Sequence, residues 1–318
     1  MYVKMISLNT YSFAINMGLI KNNKKNDWKF LDFVKYAKQK KLKGIEFPID
    51  FFSKKENQKF DYFFKIAKKN NIYTIIDLEE ISLNSIRKLI KLYEKYEFKF
   101  IRVKMSNLFG GNRHIQKNFN LQKKNFLNRL NKASQLIGYN GLKILIENHQ
   151  DLSSKEIIDI IKKNKFKNLG INWDIGNSLP TCETPLDFFN NAKKYIYNVH
   201  CKDYKVILSS NGYFMKRTTL GNGIINFKQF SKYFKKKKVN ISIELAAHIT
   251  RHSQLFDKNF SKFHTISKKK LKIFKNFIKE KSINENPLTL WELENDIYKS
   301  SKQEKIQFNK SLQFLKTL

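Results

Sequence analysis

The 318-residue sequence has few cysteines: only Cys182 and Cys201 occur, and they form no CxxC pair. This excludes a disulfide framework and a zinc ribbon, and it is typical of a protein of the reducing cytoplasm. Long apolar runs are also absent, because no stretch approaches about 18 consecutive apolar residues and the N-terminus carries no signal-peptide pattern. We therefore expect a soluble cytoplasmic protein without a membrane partner.

Arginine is scarce as well. Although the formal net charge is +35, only six of the 62 basic residues are arginine. Arginine is the residue favoured for bidentate contacts to phosphates and bases, so its scarcity argues against a nucleic-acid partner. The lysines are spread over the whole chain among many Asn, Ile and Phe residues, which is typical of an AT-rich coding sequence. The positive charge thus indicates no function by itself.

The sequence does contain a regular alternation of strand-like and helix-like segments. Short apolar or period-two runs predict strands at 5–9, 44–47, 73–77, 100–105, 144–147, 170–174, 197–202 and 241–245. Helical periodicity predicts helices at 28–41, 60–70, 85–96, 126–139, 154–164, 185–195 and 227–238. Eight strands alternating with helices predict an α/β fold, the (β/α)8 TIM barrel.

The remainder of the chain, from about residue 258 onward, predicts further helices. We expect residues 1–280 to form the barrel with its last helix, and residues 281–318 to form a C-terminal helical extension that begins near a break at Pro287. Such an extension would pack either on the barrel or on a second subunit. A homo-oligomer is therefore one of two expectations.

Four predicted strand ends carry residues that can bind a metal. Chemistry in such barrels occurs at the C-terminal ends of strands, where this sequence has Glu147, Asp174, His200 and Glu244. The first two spacings, 27 and 26 residues, match one βα unit of about 30 residues, and the third, 44, leaves room for an inserted loop at 203–224. Three carboxylates and one imidazole suit a hard divalent cation: Mn²⁺, Mg²⁺ or Co²⁺ first, with Zn²⁺ also acceptable.

Each of these four residues also has a purely structural explanation. An aspartate at a strand end often caps the following helix, a single histidine is often a hydrogen-bonded core residue, and a glutamate can pair with a lysine. Their regular placement on four consecutive strands favours a shared metal over four separate structural roles.

Further candidates lie beside these residues. Side chains two apart in a strand face the same side, so His149 and Lys202 should point into the pocket with the metal-capable residues. Two roles stay open for Lys202: a contact to a substrate hydroxyl, phosphate or carboxylate, or an ion pair with Asp203. Two roles also stay open for Glu46, at the end of the second strand: a pocket residue or, slightly favoured, a structural hydrogen-bonding partner.

His248 and His252 follow the last predicted strand at the i, i+4 spacing of one helix face. No HExxH arrangement accompanies them, which excludes a zincin site. They are predicted either to line the rim of the pocket or to be ordinary loop residues.

The segments IENH, NWDIGN, VHCKD, RTTLGNG and SIE resemble the sugar phosphate isomerase/epimerase family, which has a xylose isomerase-like TIM barrel, over roughly residues 1–280. The resemblance implies that the four strand-end residues bind one divalent metal and that Glu147 and Glu244 also act as an acid/base pair. It further implies that Arg217 contacts substrate oxygens. The chain departs from the pattern at Asn177, where ketose 3-epimerases carry a histidine, and we expect Asn177 in the substrate pocket.

The resemblance implies a metal-dependent sugar isomerase or epimerase. One glutamate would remove a proton next to a carbonyl, and the other would return it to a metal-stabilised enediolate. The alternative is a dehydratase of an inosose-like keto-polyol on the same site, and either reaction needs only a small sugar or keto-polyol as partner. An endonuclease IV-type apurinic endonuclease shares the four ligands but requires three metals and additional histidines that this sequence lacks.

Overall fold

The computed structural model describes residues 5–20, 27–237, 239–246, 248–264 and 266–318. Its strands, in chain order, are β1 (Ile6–Asn9), β2 (Gly44–Pro48), β3 (Tyr73–Leu78), β4 (Ile101–Val103), β5 (Ile144–Glu147), β6 (Leu169–Asp174), β7 (Ile196–Cys201), β8 (Asp203–Ser209), β9 (Gly212–Thr218), β10 (Asn240–Ile243) and β11 (Arg251–Ser253). The first seven strands and β10 pair in parallel to form a closed barrel in the order β1-β10-β7-β6-β5-β4-β3-β2. The predicted (β/α)8 barrel is therefore confirmed.

Helices connect the strands of the barrel and cover its outer surface. They are α1 (Phe30–Gln39), α2 (Ile49–Glu56), α3 (Phe60–Lys69), α4 (Leu83–Tyr96), α5 (Phe119–Ile137), α6 (Ser154–Lys162), α7 (Pro185–Ala192), α8 (Lys228–Lys237), α9 (Lys268–Lys281), α10 (Leu290–Glu294) and α11 (Ile297–Thr317). In α3, Phe60, Phe63, Phe64 and Ala67 form one buried stripe at helical spacing. Ser153 begins α6 by accepting a hydrogen bond from the backbone of Glu156.

Alternation along the barrel strands separates two kinds of side chain. Residues such as Phe47, Val103 and Trp173 point outward and join the large apolar core beneath the helices. Their strand neighbours Glu46 and Arg102 point inward and are buried inside the barrel. The interior of this barrel is thus polar and charged, whereas the surrounding layer is apolar.

The insertion between β7 and β10 differs from the predicted loop. The region 203–224 contains an antiparallel hairpin of β8 and β9, and β11 joins it to make a three-stranded sheet. Alternate residues, among them Tyr204, Val206 and Met215, bury one face of this sheet against α9. The prediction of a loop was wrong because these β-branched and aromatic residues can bury a second small core.

His248 and His252 do not share a helix face. His252 lies in β11 opposite Phe214, and its ring stacks on that of Phe214 at 4.4 Å between centroids. The i, i+4 spacing arises here by chance, because the chain turns between the two residues and enters a strand.

The C-terminal part of the chain is helical, as predicted, and contacts the barrel. Phe308, Leu312 and Leu315 of α11 belong to the barrel's core, whereas α9 packs on the small sheet. Glu304 accepts hydrogen bonds from the backbone of Ile15 at 2.8 Å and of Asn16 at 3.2 Å. No observation divides the chain at residue 280, so that boundary stays a prediction.

The segment after β10 is held by the residues around α10. Thr289 Oγ1 donates to the carbonyl of His248 at 2.8 Å, and the backbone of Thr250 donates to Glu292 at 3.1 Å. Thr250 Oγ1 also donates to the carbonyl of Pro287. These bonds fix residues 248–250 immediately before β11.

Within the described residues, no helix combines the length and the apolar character needed to cross a bilayer.

Candidate metal and catalytic site

The four predicted metal ligands meet at the C-terminal end of the barrel. Glu147 ends β5, Asp174 ends β6, His200 lies in β7, and Glu244 directly follows β10. Each offers one ligand atom, and these four atoms lie within 4.8 Å of one another. All four residues are buried, so the cluster is shielded from bulk water. Parallel strands in register bring these residues together although 97 positions of sequence separate the first from the last.

The atoms of this cluster fit a divalent cation. Asp174 Oδ1 is buried and has no hydrogen-bond partner among the described residues, whereas His200 Nδ1 and Glu244 Oε2 are buried and contact each other. A buried polar atom without a partner is costly, and its position among the ligand atoms of three further residues indicates a ligand in common. Carboxylate oxygens with a single imidazole match the preferences of Mn²⁺, Mg²⁺, Co²⁺ or Zn²⁺.

Glu46 orients His200 from below. The carboxylate of Glu46 lies 2.6 Å from His200 Nε2 and accepts a hydrogen bond from Asn198 at 3.1 Å. With Nε2 bound to Glu46, Nδ1 faces Glu244 and is the atom available to a metal. Glu46 is thus a hydrogen-bonding partner of His200 and Asn198, and its predicted contact with substrate stays a prediction.

Glu147 is held by Arg102, a residue whose role the sequence analysis missed. The guanidinium of Arg102 donates to Glu147 and lies 3.8 Å from Asp77, and all three side chains are buried. Burial raises the pKa of Asp77 well above its usual value despite the nearby arginine. The sequence contained one signal for the role of Arg102, namely an arginine inside the otherwise apolar strand 100–105. A charged side chain that points into the barrel requires a partner.

Lys202 pairs with two residues of the candidate metal site, here called the metal cluster (Glu147, Asp174, His200 and Glu244), and not with its sequence neighbour Asp203. Its ammonium donates to Glu244 at 2.9 Å and forms an ion pair with Asp174, and it is buried. Burial, only partly offset by Lys202, raises the pKa of Asp174 to about 7. For Glu244, by contrast, Lys202 and His200 outweigh burial and lower the pKa well below its usual value. The alternative pairing of Lys202 with Asp203 is wrong.

Asp203 instead organises the LGNG segment. Its carboxylate accepts hydrogen bonds from the backbone N–H groups of Gly221 at 3.0 Å, Gly223 at 3.0 Å and Ile225 at 3.2 Å. Gly221 has a φ of +88°, and a Cβ on Gly223 would lie 2.2 Å from Asp203. Both glycines are therefore required for the backbone to wrap a carboxylate so closely. This part of the recognised motif has a structural role.

Asn177 braces Asp174 from the side. Its amide donates to Asp174 at 2.5 Å, and its oxygen accepts from Gln150 at 3.0 Å and from Tyr204 at 3.1 Å. Because the residue is buried and fully engaged, it positions the carboxylate of Asp174. Direct contact of Asn177 with substrate stays a prediction.

His149 lies next to the cluster, as the alternation predicted. Its ring is 5.3 Å from that of Phe109, and its Nδ1 is buried without a hydrogen-bond partner among the described residues. Burial, with Lys104 and other cations nearby, lowers the pKa of His149 well below its usual value. The imidazole is therefore neutral and has a nitrogen available.

Arg217 lies on the hairpin and reaches back to the barrel. Its guanidinium donates to the carbonyls of Leu245 at 2.6 Å and Ala246 at 2.9 Å, directly after Glu244. It also lies over the ring of Tyr204 at 5.7 Å. The insertion thus places a cation beside the metal cluster, and its contact with substrate stays a prediction.

The charges of the described residues support this assignment of a cation. Inside the barrel end, Arg102 and Lys202 face the carboxyl groups of Glu46, Glu147, Asp174 and Glu244, which outnumber these two cations. Protonation of His200 or binding of a divalent cation would compensate part of this excess.

Comparison with known proteins agrees with this geometry. Residues 44–261 match the sequence model of the family described as xylose isomerase-like TIM barrel. A curated relative, the uncharacterized protein YihM of Escherichia coli (strain K12), is 31% identical over 88 residues. That match spans 28% of this chain and 27% of YihM, so the chain covers about a quarter of the length of this relative.

Solved structures share the fold at low sequence identity. The probable 3-DHS dehydratase AsbF of Bacillus anthracis, involved in petrobactin synthesis, superposes with a TM-score of 0.58 at 15% identity, covering 86% of this chain and 97% of AsbF. The 3-keto-D-glucoside 4-epimerase YcjR of E. coli superposes with a TM-score of 0.55 at 10% identity, covering 87% of this chain and 100% of YcjR. At these identities the likeness establishes the barrel and no reaction.

Proposed function

Because the chain belongs to the family of xylose isomerase-like TIM barrels, we propose that it is a divalent-metal-dependent enzyme that isomerises or epimerises a sugar or sugar-like substrate. The observation that carries this proposal is the convergence of Glu147, Asp174, His200 and Glu244 within 4.8 Å. Two of these residues are glutamates, which can transfer protons as well as bind a cation.

The chain's own residues supply the proton transfer. Glu147 and Glu244 stand on strands three positions apart in the barrel, so they approach the shared space from different directions. Lys202 forms an ion pair with Glu244, and Arg102 forms one with Glu147; a carboxylate in either position can accept a proton from carbon. A bound divalent cation would polarise the substrate carbonyl and stabilise negative charge on its oxygen.

The remaining residues of the cluster keep this arrangement in place. Glu46 fixes His200 and Asn177 fixes Asp174, so the ligands are oriented before a cation arrives. Burial of the cluster excludes water, which strengthens the electrostatic interactions inside it.

A dehydratase is the second candidate, and His149 is the observation that favours it. An epimerase needs two proton-transfer groups, which the two glutamates provide. His149 adds a third polar group, because it is neutral and its Nδ1 has no hydrogen-bond partner among the described residues. Loss of a β-hydroxyl requires a proton for the leaving oxygen; the glutamate that took the proton from carbon can return it there, and the neutral His149 would hydrogen-bond the departing hydroxyl.

Proton transfer is tested by exchange in D₂O. The purified enzyme with Mn²⁺ is incubated with a panel of ketoses, sugar phosphates and keto-acids, and NMR follows deuterium at the carbon next to the carbonyl. We expect exchange with at least one substrate, and a loss of about 10²–10⁴-fold in Glu147→Gln and Glu244→Gln. Isomerised product supports the first candidate, and a product that has lost water supports the second.

A matched control comes from the exposed side of α4. Glu94→Gln makes the same chemical change at an exposed residue and should leave the exchange rate unchanged. Full exchange in either glutamate variant of the cluster, with the fold verified by circular dichroism, would contradict the proposed roles.

Metal binding is tested separately by elemental analysis. We expect about one divalent ion per chain, with occupancy strongly reduced in His200→Ala, whereas His252→Ala on the small sheet should retain it. Equal occupancy in both variants would contradict the assignment of the ligands.

A further inference from the structure

Two arginines meet beside the metal cluster without an acidic partner. Arg217 reaches the cluster from β9, and Arg251 begins β11, the neighbouring strand of the small sheet. The guanidinium of Arg251 stacks on the ring of Phe109 at 3.4 Å. Since Phe109 also contacts His149, Arg251 lies at the same end of the barrel as the candidate catalytic residues.

Neither guanidinium forms an ion pair within the described part of the chain. The Nε atoms of Arg217 and Arg251 are both buried without a hydrogen-bond partner there, and so is His248 Nδ1. Glu292, a carboxylate that acts on Arg251, accepts hydrogen bonds from the backbone of Thr250 and Thr289. Glu244 and Asp174 act on Arg217 only from beyond ion-pair distance, so neither guanidinium has a carboxylate in direct contact within these residues.

This concentration of positive charge is unfavourable in the protein alone. Burial, reinforced by Arg217, lowers the pKa of Arg251 to about 10, and burial with both arginines lowers the pKa of His248 to about 3. Buried charges normally have a partner, because their desolvation is otherwise uncompensated. An anion at this position would provide that partner.

The arginines are also positioned in advance. Arg217 is anchored by the carbonyls of Leu245 and Ala246, and Arg251 by its stacking on Phe109. An arginine held in this way loses little side-chain entropy on binding, and its planar fork matches a carboxylate or a phosphate.

We infer that Arg217 and Arg251 form a subsite for an anionic group of the substrate, so that the substrate is a sugar acid or a sugar phosphate rather than a neutral sugar. The assignment of this anion to a substrate rests on the proposed function; the binding of the anion does not. The subsite lies next to the metal cluster, because Tyr204, over which Arg217 lies, donates to Asn177, the residue that braces Asp174.

The test is calorimetric titration of the full chain with three small probes of similar size: glycerate, glycerol phosphate and neutral glycerol. We expect one of the two anions to bind and glycerol not to bind. Preference for glycerate assigns the subsite to a carboxylate, and preference for glycerol phosphate assigns it to a phosphate. Equal binding of glycerol and both anions would overturn the inference.

Variants locate the anion. In Arg251→Gln the dissociation constant of the preferred anion should rise about tenfold or more, the loss expected for a charged hydrogen-bonding group. Arg129→Gln makes the same change at a largely exposed arginine and should alter it by less than about twofold. Arg251→Lys, which keeps the charge but not the fork, should give an intermediate value. Unchanged binding in a folded Arg251→Gln protein would overturn the subsite.

These titrations need no turnover. Anion binding that depends on Arg251, without exchange in D₂O, would retain the subsite and reject the proposed reaction. Exchange with neutral sugars that is insensitive to Arg251→Gln would retain the reaction and reject the subsite.

Discussion

The two faces of the barrel strands have opposite chemistry. The outward face is apolar, and Trp173 is typical of it, with its ring 5.0 Å from Phe230 and 5.6 Å from Phe189. The inward face, one residue along the same strands, carries polar side chains, most of which are hydrogen-bonded to one another. They are Ser7, Glu46, Asp77, Arg102, Glu147, Asn172, Asn198, His200, Asn240 and Ser242.

Asn198 shows how this inner set is connected. Its amide donates to Glu46 and Asn172, and its oxygen accepts from Asn240 at 2.6 Å. The network reaches from here through Glu46 to His200 and hence to the metal cluster. The comparison teaches that apolar burial outside the barrel stabilises the fold, which leaves the inside available for a network of polar and charged side chains.

The largest stability effect should come from the outer face. Trp173→Ala removes a fully buried indole, and we expect it to lower the free energy of unfolding by about 3–5 kcal/mol, measured by urea denaturation. The folded fraction should still bind one metal per chain. If Trp173→Ala instead lost the metal and kept the full free energy of unfolding, the outward face would serve the metal site and not the stability of the fold.

A smaller effect, on metal affinity instead of folding, should follow from the inner face. Glu46→Gln weakens the hydrogen bond that orients His200, and we expect the affinity for Mn²⁺ to fall about 10–100-fold. Titration with a competing chelator measures this value, and the exposed Glu94→Gln serves as control. An unaltered affinity would mean that His200 is oriented by other contacts.

The smallest effect should occur at Ser242, an inward residue that pairs in register with His200 just below the candidate metal site. Ser242→Ala removes a hydrogen bond of 2.7 Å to Ser7, and we expect a loss of about 1 kcal/mol in the free energy of unfolding. Ser231→Ala on α8, which is partly exposed, should cost less. A cost comparable to that of Trp173→Ala would show that the inner network also carries the stability of the fold.

Much of the division into an apolar outward face and a polar inward face could be predicted from the sequence, because alternation along a strand is a local property. The strand ends at Glu147, Asp174 and His200 were recognisable from apolar runs that stop at a polar residue. Residues that depend on distant partners were not: Arg102 was visible as a charge in a strand, but its pairing with Glu147 was not.

The parts that sequence could not assign depend on tertiary packing. Both α9 and α11 have an amphipathic pattern, and the pattern does not tell which helix covers the barrel and which covers the small sheet. The hairpin β8–β9 was read as a loop because its apolar face is buried only by α9, which is distant in sequence. Arg251 lies beside the site because β11 pairs with β9 of that hairpin, a contact that the sequence did not indicate.

The bonds from Thr289 and Glu292 to residues 248–250 also bear on how the protein is made. All eight barrel strands leave the ribosome before these residues and before α11, at a rate of about 5–20 residues per second. During that interval the nascent chain has the four residues of the candidate metal site. It lacks both the contacts that hold residues 248–250, just before Arg251, and the apolar cover supplied by Phe308 and Leu312. Synthesis of residues 287–318 thus supplies contacts that hold residues 248–250 beside β11, and a ribosome paused before them would carry a barrel without these contacts.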